Sequence, residues 1–234
     1  MIQTAVGKIG DPDCSETARG TVDEKVPCIL TGVDTATPSV SDEFRRTLDR
    51  LGIDDYVLRE RVILIHAPGT RFPTTKLDVV AVTPFGVFVV MAMRFGGRIA
   101  PGPDAETLSV INEDGEAMLR TSPVRRQAAA VRCLRSLLMQ HACPVESVAV
   151  AAASLCALHP LLPESIIEAA ELYHYLRLRT IRFFLSKQRH VSVARAVDVI
   201  ESRFDSRPEA FDDHCARMTS LAHSRSLAGS ITPP

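Results

Sequence analysis

The sequence predicts an α/β domain in which helices cover both faces of a central sheet. Two apolar runs, Leu77–Val82 and Val87–Val90, flank a turn at Thr83–Gly86 and together predict a β-hairpin. Apolar side chains fall on both faces of these runs, which is typical of strands in the middle of a covered sheet. Helical periodicity predicts the covering helices, one before the hairpin at residues 41–52 and one after it from Pro123 to His141.

Composition favours one ordinary domain with appendages, or two small domains, because the chain has 234 residues and a hydrophobic fraction of 46%. A net charge of −1 gives no overall attraction to nucleic acid or to membranes. The six cysteines show no CxxC spacing, so we expect reduced thiols in a cytoplasmic protein. No apolar stretch is long enough to span a membrane and no signal peptide is visible, so we expect no membrane partner.

Residues 1–40 differ in composition from the rest of the chain and predict a flexible acidic leader. Residues 1–43 carry eight Asp or Glu against three Lys or Arg. Two interpretations stay open: a mobile solvated leader, or a competitor that lies over a basic surface until a partner displaces it. The body of the protein is then residues 41–185, and residues 186–234 form a C-terminal helical extension and tail.

A helix and a strand are predicted ahead of the hairpin. Ser41 is expected to cap the helix, with Asp42 and Glu43 in its first turn and Gly52 at its end. The buried face of this helix is predicted from apolar residues at helical spacing, namely Phe44, Leu48 and Leu51. The strand runs from Tyr56 to Ile65.

One charged residue, Asp78, interrupts the first strand of the hairpin. A carboxylate in a dry position costs several kcal/mol unless a cation or hydrogen-bond donors meet it. Such a residue needs a structural or chemical reason to be there. Asp78 is therefore the first candidate for a functional residue in this chain.

Around Asp78 the chain resembles the nuclease-related domain (NERD) family, which has the PD-(D/E)xK restriction-endonuclease-like fold. Asp78 matches the strand aspartate of that family, and Gly86–Val90 match its Gly-Val-Phe-Val-Ile strand. Gly97 and Ile99 match the residues beyond that strand. The resemblance extends over roughly residues 41–180. It implies an α-β-β-β-α-β core with a mixed central sheet, and Mg²⁺-dependent DNA cleavage in active members.

The resemblance implies roles for two further residues. Glu43 stands in the place of a helical glutamate that reaches toward the metal site of the family. Gln127, within Ser122–Gln127, resembles the family's glutamine beside the active site. From the residues alone, Glu43 is equally well explained as a helix-start acid, and a lone amide such as Gln127 is more often a solvated surface residue.

The chain departs from the family where a second carboxylate and a lysine are expected, because Met91-Ala92-Met93 replaces Glu-x-Lys. In the family's chemistry, carboxylates hold Mg²⁺ and the lysine steadies the attacking water or the developing negative charge. A thioether is a soft, weak ligand that does not suit Mg²⁺. Met91 and Met93 point to the same face of their strand, so we expect a vestigial, inactive site that needs no cofactor.

The alternative is an active site with rearranged residues, which would make the chain a Mg²⁺-dependent DNA endonuclease. Glu43 would then join Asp78 as a metal ligand, and Lys76 points to the same face of its strand as Asp78. Arg94 and Arg98 would supply positive charge. Arginine does not act as a proton acceptor at ordinary pH, so this rescue requires several coincidences.

Positive charge accumulates in the later part of the body. Residues 115–190 carry ten Lys or Arg against five acids, and Arg125 and Arg126 open the helix at 123–141. With Arg94 and Arg98 they predict a DNA-binding surface, although ordinary helix solvation is the competing interpretation. The leading hypothesis is an inactive nuclease-related protein that binds DNA or a protein partner. A structural, dimerising partner-binding module with the methionines in an apolar contact is a further alternative.

Local patterns predict the remaining elements. Short strands are expected at Thr107–Ile111, Ala117–Leu119 and Ile166–Ile167, and a buried strand is expected at Val145–Ala153. Three more helices are predicted at residues 171–185, 192–204 and 209–228.

Overall fold

A computed structural model describes residues 39–112, 114–151, 156–187 and 189–228. The predicted acidic leader, residues 1–40, falls almost wholly outside the described residues. In chain order the helices and strands are α1 (Val40–Arg50), β1 (Val57–Ile65), β2 (Thr74–Thr83), β3 (Gly86–Met93), β4 (Gly97–Pro101), β5 (Thr107–Ile111), β6 (Ala117–Thr121), α2 (Pro123–Leu138), β7 (Val145–Ala151), β8 (Cys156–Leu158), β9 (Ile166–Glu168), α3 (Leu172–Leu185), α4 (Val193–Glu201) and α5 (Ala210–Ala228).

The larger sheet has five strands in the order β1-β2-β3-β7-β9. Strands β1, β2 and β3 are antiparallel neighbours, whereas β3, β7 and β9 run parallel. The predicted hairpin is therefore confirmed, and its second strand is the middle strand of the sheet. Gly86 in the hairpin turn has a φ of +146°, and a Cβ there would lie 2.9 Å from the carbonyl oxygen of Pro144. Only glycine allows the turn to approach the start of β7 so closely.

Helices cover both faces of this sheet, as the two-sided apolar pattern of the hairpin predicts. On one face α1 and α3 contribute Phe44, Leu48 and Leu176 to a core with Val79 and Val90. On the other face α2 and α4 pack over the alternate residues of the same strands. Burial on both sides explains why Val80, Val89 and their neighbours read as continuous apolar runs.

The start of α1 differs from the prediction by two residues. Ser39 is the N-cap, and its hydroxyl oxygen accepts a hydrogen bond from the Asp42 N–H at 3.1 Å. Ser41 is buried within the helix, where its hydroxyl donates to the Glu60 carboxylate on β1. Both serines precede acidic residues, so the sequence pattern fits either as the cap.

A second sheet lies beside the first, with four strands in the order β6-β5-β4-β8. The strand Thr107–Ile111 and its partner beginning at Ala117 are confirmed, but β4 and β8 are strands that the sequence does not predict. A small apolar core joins the two sheets, and it includes Met93, Ile99, Leu108 and Ala149. The described residues therefore confirm the predicted α/β architecture with a mixed central sheet, and they add a second mixed sheet that the sequence does not predict.

The C-terminal helices pack onto the larger sheet. Helix α4 lies against α2, and the residues after it run along the open edge of β1. The Ile65 N–H donates to the carbonyl of Arg203 at 2.9 Å, and the Asp205 N–H donates to the carbonyl of Ile63 at 2.8 Å. This pairing covers an edge that would otherwise expose unpaired backbone groups. Helix α5 then passes over β1 and β2.

Two expectations concern the environment of the protein. None of the helices in the described part of the chain is long and apolar enough to cross a membrane. Cys133, Cys143 and Cys156 carry free thiols, in agreement with the expected reduced state. Cys215 is disulfide-bonded, so the expectation of reduced cysteines is wrong for this residue.

Candidate functional site around Asp78

Asp78 lies where the ladder between β2 and β3 stops. The ladder begins at the hairpin turn, where Thr83 pairs with Gly86. It ends where Val79 pairs with Val90, one residue before Asp78 is reached. Beyond that point the Asp78 carboxylate accepts a hydrogen bond from the Ala92 N–H at 3.0 Å. Asp78 is half-buried rather than dry, and a backbone donor meets it. The Asp78 side chain therefore links β2 to β3 just beyond the point where their backbone pairing ends.

The neighbouring strand is distorted opposite Asp78. The pairs on either side, Glu60 with Val79 and Val62 with Leu77, place Arg61 across from Asp78. Arg61 has a φ of +51°, in the left-handed region that residues other than glycine rarely adopt. Left-handed conformations at such residues cost about 1–3 kcal/mol and often occur at functional sites.

The distortion changes which face of the sheet each side chain occupies. Leu77 and Val80 are three residues apart on β2 yet pack in the same core. Regular alternation would put them on opposite faces. The regular alternation of side chains along β2 is therefore interrupted at Asp78, the half-buried residue between Leu77 and Val79.

Lys76 lies close to Asp78 and is half-buried. Burial lowers the pKa of its amine below the ordinary value, Asp78 opposes this effect, and the positive charges of Arg94, Arg61 and Arg126 add to it. These interactions show that three arginines and the Asp78 carboxylate all lie close enough to Lys76 to affect its charge. We call Arg61, Lys76, Arg94 and Arg126 the basic cluster.

None of the four cations in the basic cluster forms an ion pair with a residue that the structure describes. Other arginines of the chain do form ion pairs with carboxylates, as Arg59 does with Glu201 and Arg179 with Glu146. The basic cluster therefore keeps a local excess of positive charge next to Asp78.

Helix α5 contributes an aromatic ring to the site. The Lys76 ammonium nitrogen lies 4.7 Å from the centre of the Phe211 ring, and the Arg61 guanidinium carbon lies 5.2 Å from it. Nearby, Thr74 Oγ1 and His214 Nδ1 are 3.0 Å apart. The sequence does not predict this contact, because α5 begins more than a hundred residues after β2 ends.

Gln127, near the start of α2, is buried beside β3. Its side chain is 1% exposed. With the amide oriented so that both ends are paired, its nitrogen donates to the Val89 carbonyl at 3.2 Å and its oxygen accepts from the Met91 N–H at 3.1 Å. Gln127 thus fixes the start of α2 to the strand that carries the methionines. A solvated surface position, the competing interpretation, is wrong.

Glu43 lies on α1, and it forms an ion pair with Arg46 at 3.1 Å. It is not among the charged groups that affect Lys76. In the described residues, no group of three or more His, Cys, Asp or Glu converges in a way that could hold a metal ion. Asp78 and Glu43 thus do not belong to an oxygen-rich set of the kind that holds Mg²⁺ in proteins. Their role as metal ligands stays a prediction.

The methionines occupy unequal environments. Met93 is 2% exposed and belongs to the small core between the two sheets. Met91 is half-buried, and its N–H bonds to Gln127. The position that holds a lysine in the family pattern is therefore a dry core position in this chain.

The four arginines predicted to bind DNA separate into two groups. Arg94 and Arg126 belong to the basic cluster. Arg125 instead forms an ion pair with Glu106 at 2.9 Å, and Arg98 is exposed on β4, opposite Ile111. Arg61 and Lys76 complete the cluster, and the DNA-binding prediction includes neither of them. Binding and catalytic roles for all of these residues stay predictions.

The order α1-β1-β2-β3-α2-β7, in which α2 carries the chain to a strand parallel to β3, is consistent with a restriction-endonuclease-like fold. Residues 41–152 match the family model of the nuclease-related domain, and this part of the chain belongs to that family. No curated protein and no solved structure matches this chain. All four residues of the basic cluster lie within the matched part of the chain.

Proposed function

We propose that this nuclease-related domain binds the phosphate backbone of DNA through the basic cluster and no longer cleaves it. The observation that carries the proposal is that Lys76 and Arg61 lie on one Phe211 ring beside Asp78, with Arg94 and Arg126 near Lys76, and that none of the four cations has an ion-pair partner in the described chain. Charges that a protein leaves unpaired on one surface attract polyanions and supply most non-specific DNA affinity. DNA is favoured over an apolar protein contact because these cations are satisfied by anionic oxygens, which the phosphate backbone presents along its whole length.

The loss of cleavage rests on the methionines. Met93 is part of the core between the sheets, so no amine can take its place without entering an apolar environment. Asp78 accepts a hydrogen bond from the Ala92 N–H, and the described residues contain no group of three or more His, Cys, Asp or Glu that could hold a metal ion. The groups that would hold a metal ion and stabilise developing charge are thus missing from the positions where the family carries them.

A gel-shift titration on a short duplex at several salt concentrations tests the binding proposal. Arg94→Gln/Arg126→Gln should weaken binding and reduce the salt slope by about 0.9 for each phosphate that the variant no longer neutralises. Arg177→Gln/Arg182→Gln, on the exposed side of α3, is the matched control and should change neither quantity. If the wild-type chain shows no shift at low salt, DNA binding is wrong. In that case concentration-dependent mass in solution tests for a dimer or a protein partner.

An active endonuclease has one observation in its favour. The amine of Lys76 lies beside Asp78 and has a lowered pKa because it is partly buried. Incubation of plasmid DNA with the protein and either Mg²⁺ or Mn²⁺ separates the two functions. We expect no nicking above the background of Asp78→Ala. Nicking that disappears in both Asp78→Ala and Lys76→Met would establish the alternative and overturn the inactive site.

A further inference from the structure

A second positively charged feature lies between the end of α2 and the start of α4. A cleft of about 490 Å³ opens there, lined chiefly by polar and basic side chains. Its lining includes Gln140, His141, Arg189, His190, Ser192 and Arg195. None of these residues belongs to the basic cluster, and the last four lie beyond residue 152, where the match to the family ends. Arg126 and the cleft residue Gln140 are 14 residues apart along α2 and the turn after it, which corresponds to about 21 Å.

The segment that forms one wall of the cleft is fixed to the core. Val191 is buried, and its N–H donates to the Pro84 carbonyl in the hairpin turn at 2.8 Å. The ring of His190 lies 5.4 Å from that of Phe184 on α3. Arg189 and Ser192 flank the anchored pair His190 and Val191, so these contacts fix the backbone that carries both cleft residues.

The opposite wall is also defined. Ala142 closes the helical segment after α2 in a left-handed conformation, with a φ of +48°, and its N–H donates to the Met139 carbonyl at 3.2 Å. Cys143, the next residue, is buried. His141 is therefore held at the mouth of the cleft by a turn that is anchored to the core.

The lining of the cleft is positively charged and has no compensating acid. The two arginines, Arg189 and Arg195, supply this charge, and no Asp or Glu among the described residues lines the cleft. Neither Arg189 nor Arg195 forms an ion pair within the part of the chain that the structure describes. The hydroxyl of Ser192 makes no capping hydrogen bond to α4. A concave surface that concentrates charge of one sign raises the local potential for the opposite sign.

We propose that this cleft binds a phosphate group. The guanidinium forks of Arg189 and Arg195 match the geometry of phosphate oxygens, and imidazole and hydroxyl groups donate to the remaining oxygens. The phosphate comes either from a free phosphate compound or from the backbone or terminus of a nucleic acid. The proposal is independent of the function assigned to the basic cluster, because the two sites share no residue.

Isothermal titration of the full chain with inorganic phosphate, at constant ionic strength, tests the proposal. We expect saturable binding that Arg189→Gln/Arg195→Gln weakens by about tenfold or more, since two charge-assisted contacts are removed. Arg177→Gln/Arg182→Gln controls for the general loss of positive charge. Arg195→Lys keeps the charge but loses the guanidinium fork, so it should bind more weakly than the wild type and more tightly than Arg195→Gln. A thermal melt of each variant confirms folding. Absence of saturable binding by the wild-type chain, or equal weakening by the control pair, overturns the proposal.

A duplex with and without a 5′-phosphate distinguishes the two sources of phosphate. If Arg189→Gln/Arg195→Gln weakens inorganic phosphate and both duplexes, the ligand is the nucleic-acid backbone. Selective weakening of the 5′-phosphorylated duplex assigns a terminal phosphate. Weakening of inorganic phosphate alone assigns a free phosphate compound. Variants of the basic cluster leave inorganic phosphate binding unchanged in every case, so the two proposals fail separately.

Discussion

The ring of Phe211 on α5 lies 4.7 Å from the ammonium nitrogen of Lys76 on β2. The same ring approaches Arg61 at 5.2 Å, so one aromatic side chain contacts two members of the basic cluster. Phe211 lies beyond residue 152, where the match to the family model ends. The C-terminal helix therefore helps to position cations that belong to the nuclease-related domain.

Phe211→Leu should weaken DNA binding by about two- to fivefold, because each exposed cation–π contact is worth about 0.5–1 kcal/mol. Loss of the ring leaves Lys76 and Arg61 less well positioned around Asp78. Gel-shift titration at fixed salt measures the effect. Phe211→Tyr retains the aromatic face and should bind like the wild-type chain. Equal affinities for the leucine variant and the wild type would show that the ring does not position the cluster.

Stability should fall as the pH drops below the ordinary histidine pKa of 6.5, and His214 should contribute to the fall. Burial lowers the pKa of His214 in the folded state, and the charges of Arg217, Lys76 and His66 lower it further. Between the folded pKa and 6.5 the unfolded chain binds more protons, so the free energy of unfolding increases with pH across that window.

Urea unfolding at a series of pH values between 5 and 8 checks this prediction (roughly the range in which histidine titrates). His214→Asn removes the titrating group and should flatten the pH dependence. His66 also has a pKa that burial lowers, so part of the dependence should survive in this variant. An unchanged pH profile in His214→Asn would contradict the assignment.

Gln127→Leu should destabilise the protein by about 1–3 kcal/mol, the usual cost of leaving a buried hydrogen-bonding group unpaired. The Val89 carbonyl and the Met91 N–H both lose a partner when the amide is removed. Chemical denaturation measures the difference in the free energy of unfolding. Gln140→Leu, at an exposed glutamine, provides the comparison and should be close to neutral. Similar stabilities for the two variants would mean that Gln127 does not bond β3.

Restoring the family's charged residues should damage the fold rather than revive the site. Met93→Lys places an ammonium group in the core between the sheets, at a cost of roughly 3–5 kcal/mol. Met91→Glu, at a half-buried position, should cost less. Met93→Leu keeps the position apolar and should cost less than about 1.5 kcal/mol. Nicking of plasmid DNA by a stably folded Met91→Glu/Met93→Lys variant would refute this prediction.

Local patterns in the sequence identify much of the fold. The apolar runs around Thr83–Gly86 predict the hairpin, and the periodicity from Pro123 predicts α2, because both depend on side chains that are close in the chain. Asp78 is recognisable because a carboxylate is out of place in an apolar strand. Gln127 is different: its importance comes from the resemblance to the family, since an isolated amide gives no signal of burial.

The sequence by itself determined the central hairpin, the helix that follows it, the family and the replacement of its charged pair by methionines. Tertiary structure alone decided that β4 and β8 form a second sheet, that Arg61 adopts a left-handed conformation opposite Asp78, and that Phe211 joins the site. Hydrophobic periodicity reports which face of an element is buried, but not which distant element covers it. The membership of the basic cluster depends on such distant contacts, so only the folded chain reveals it.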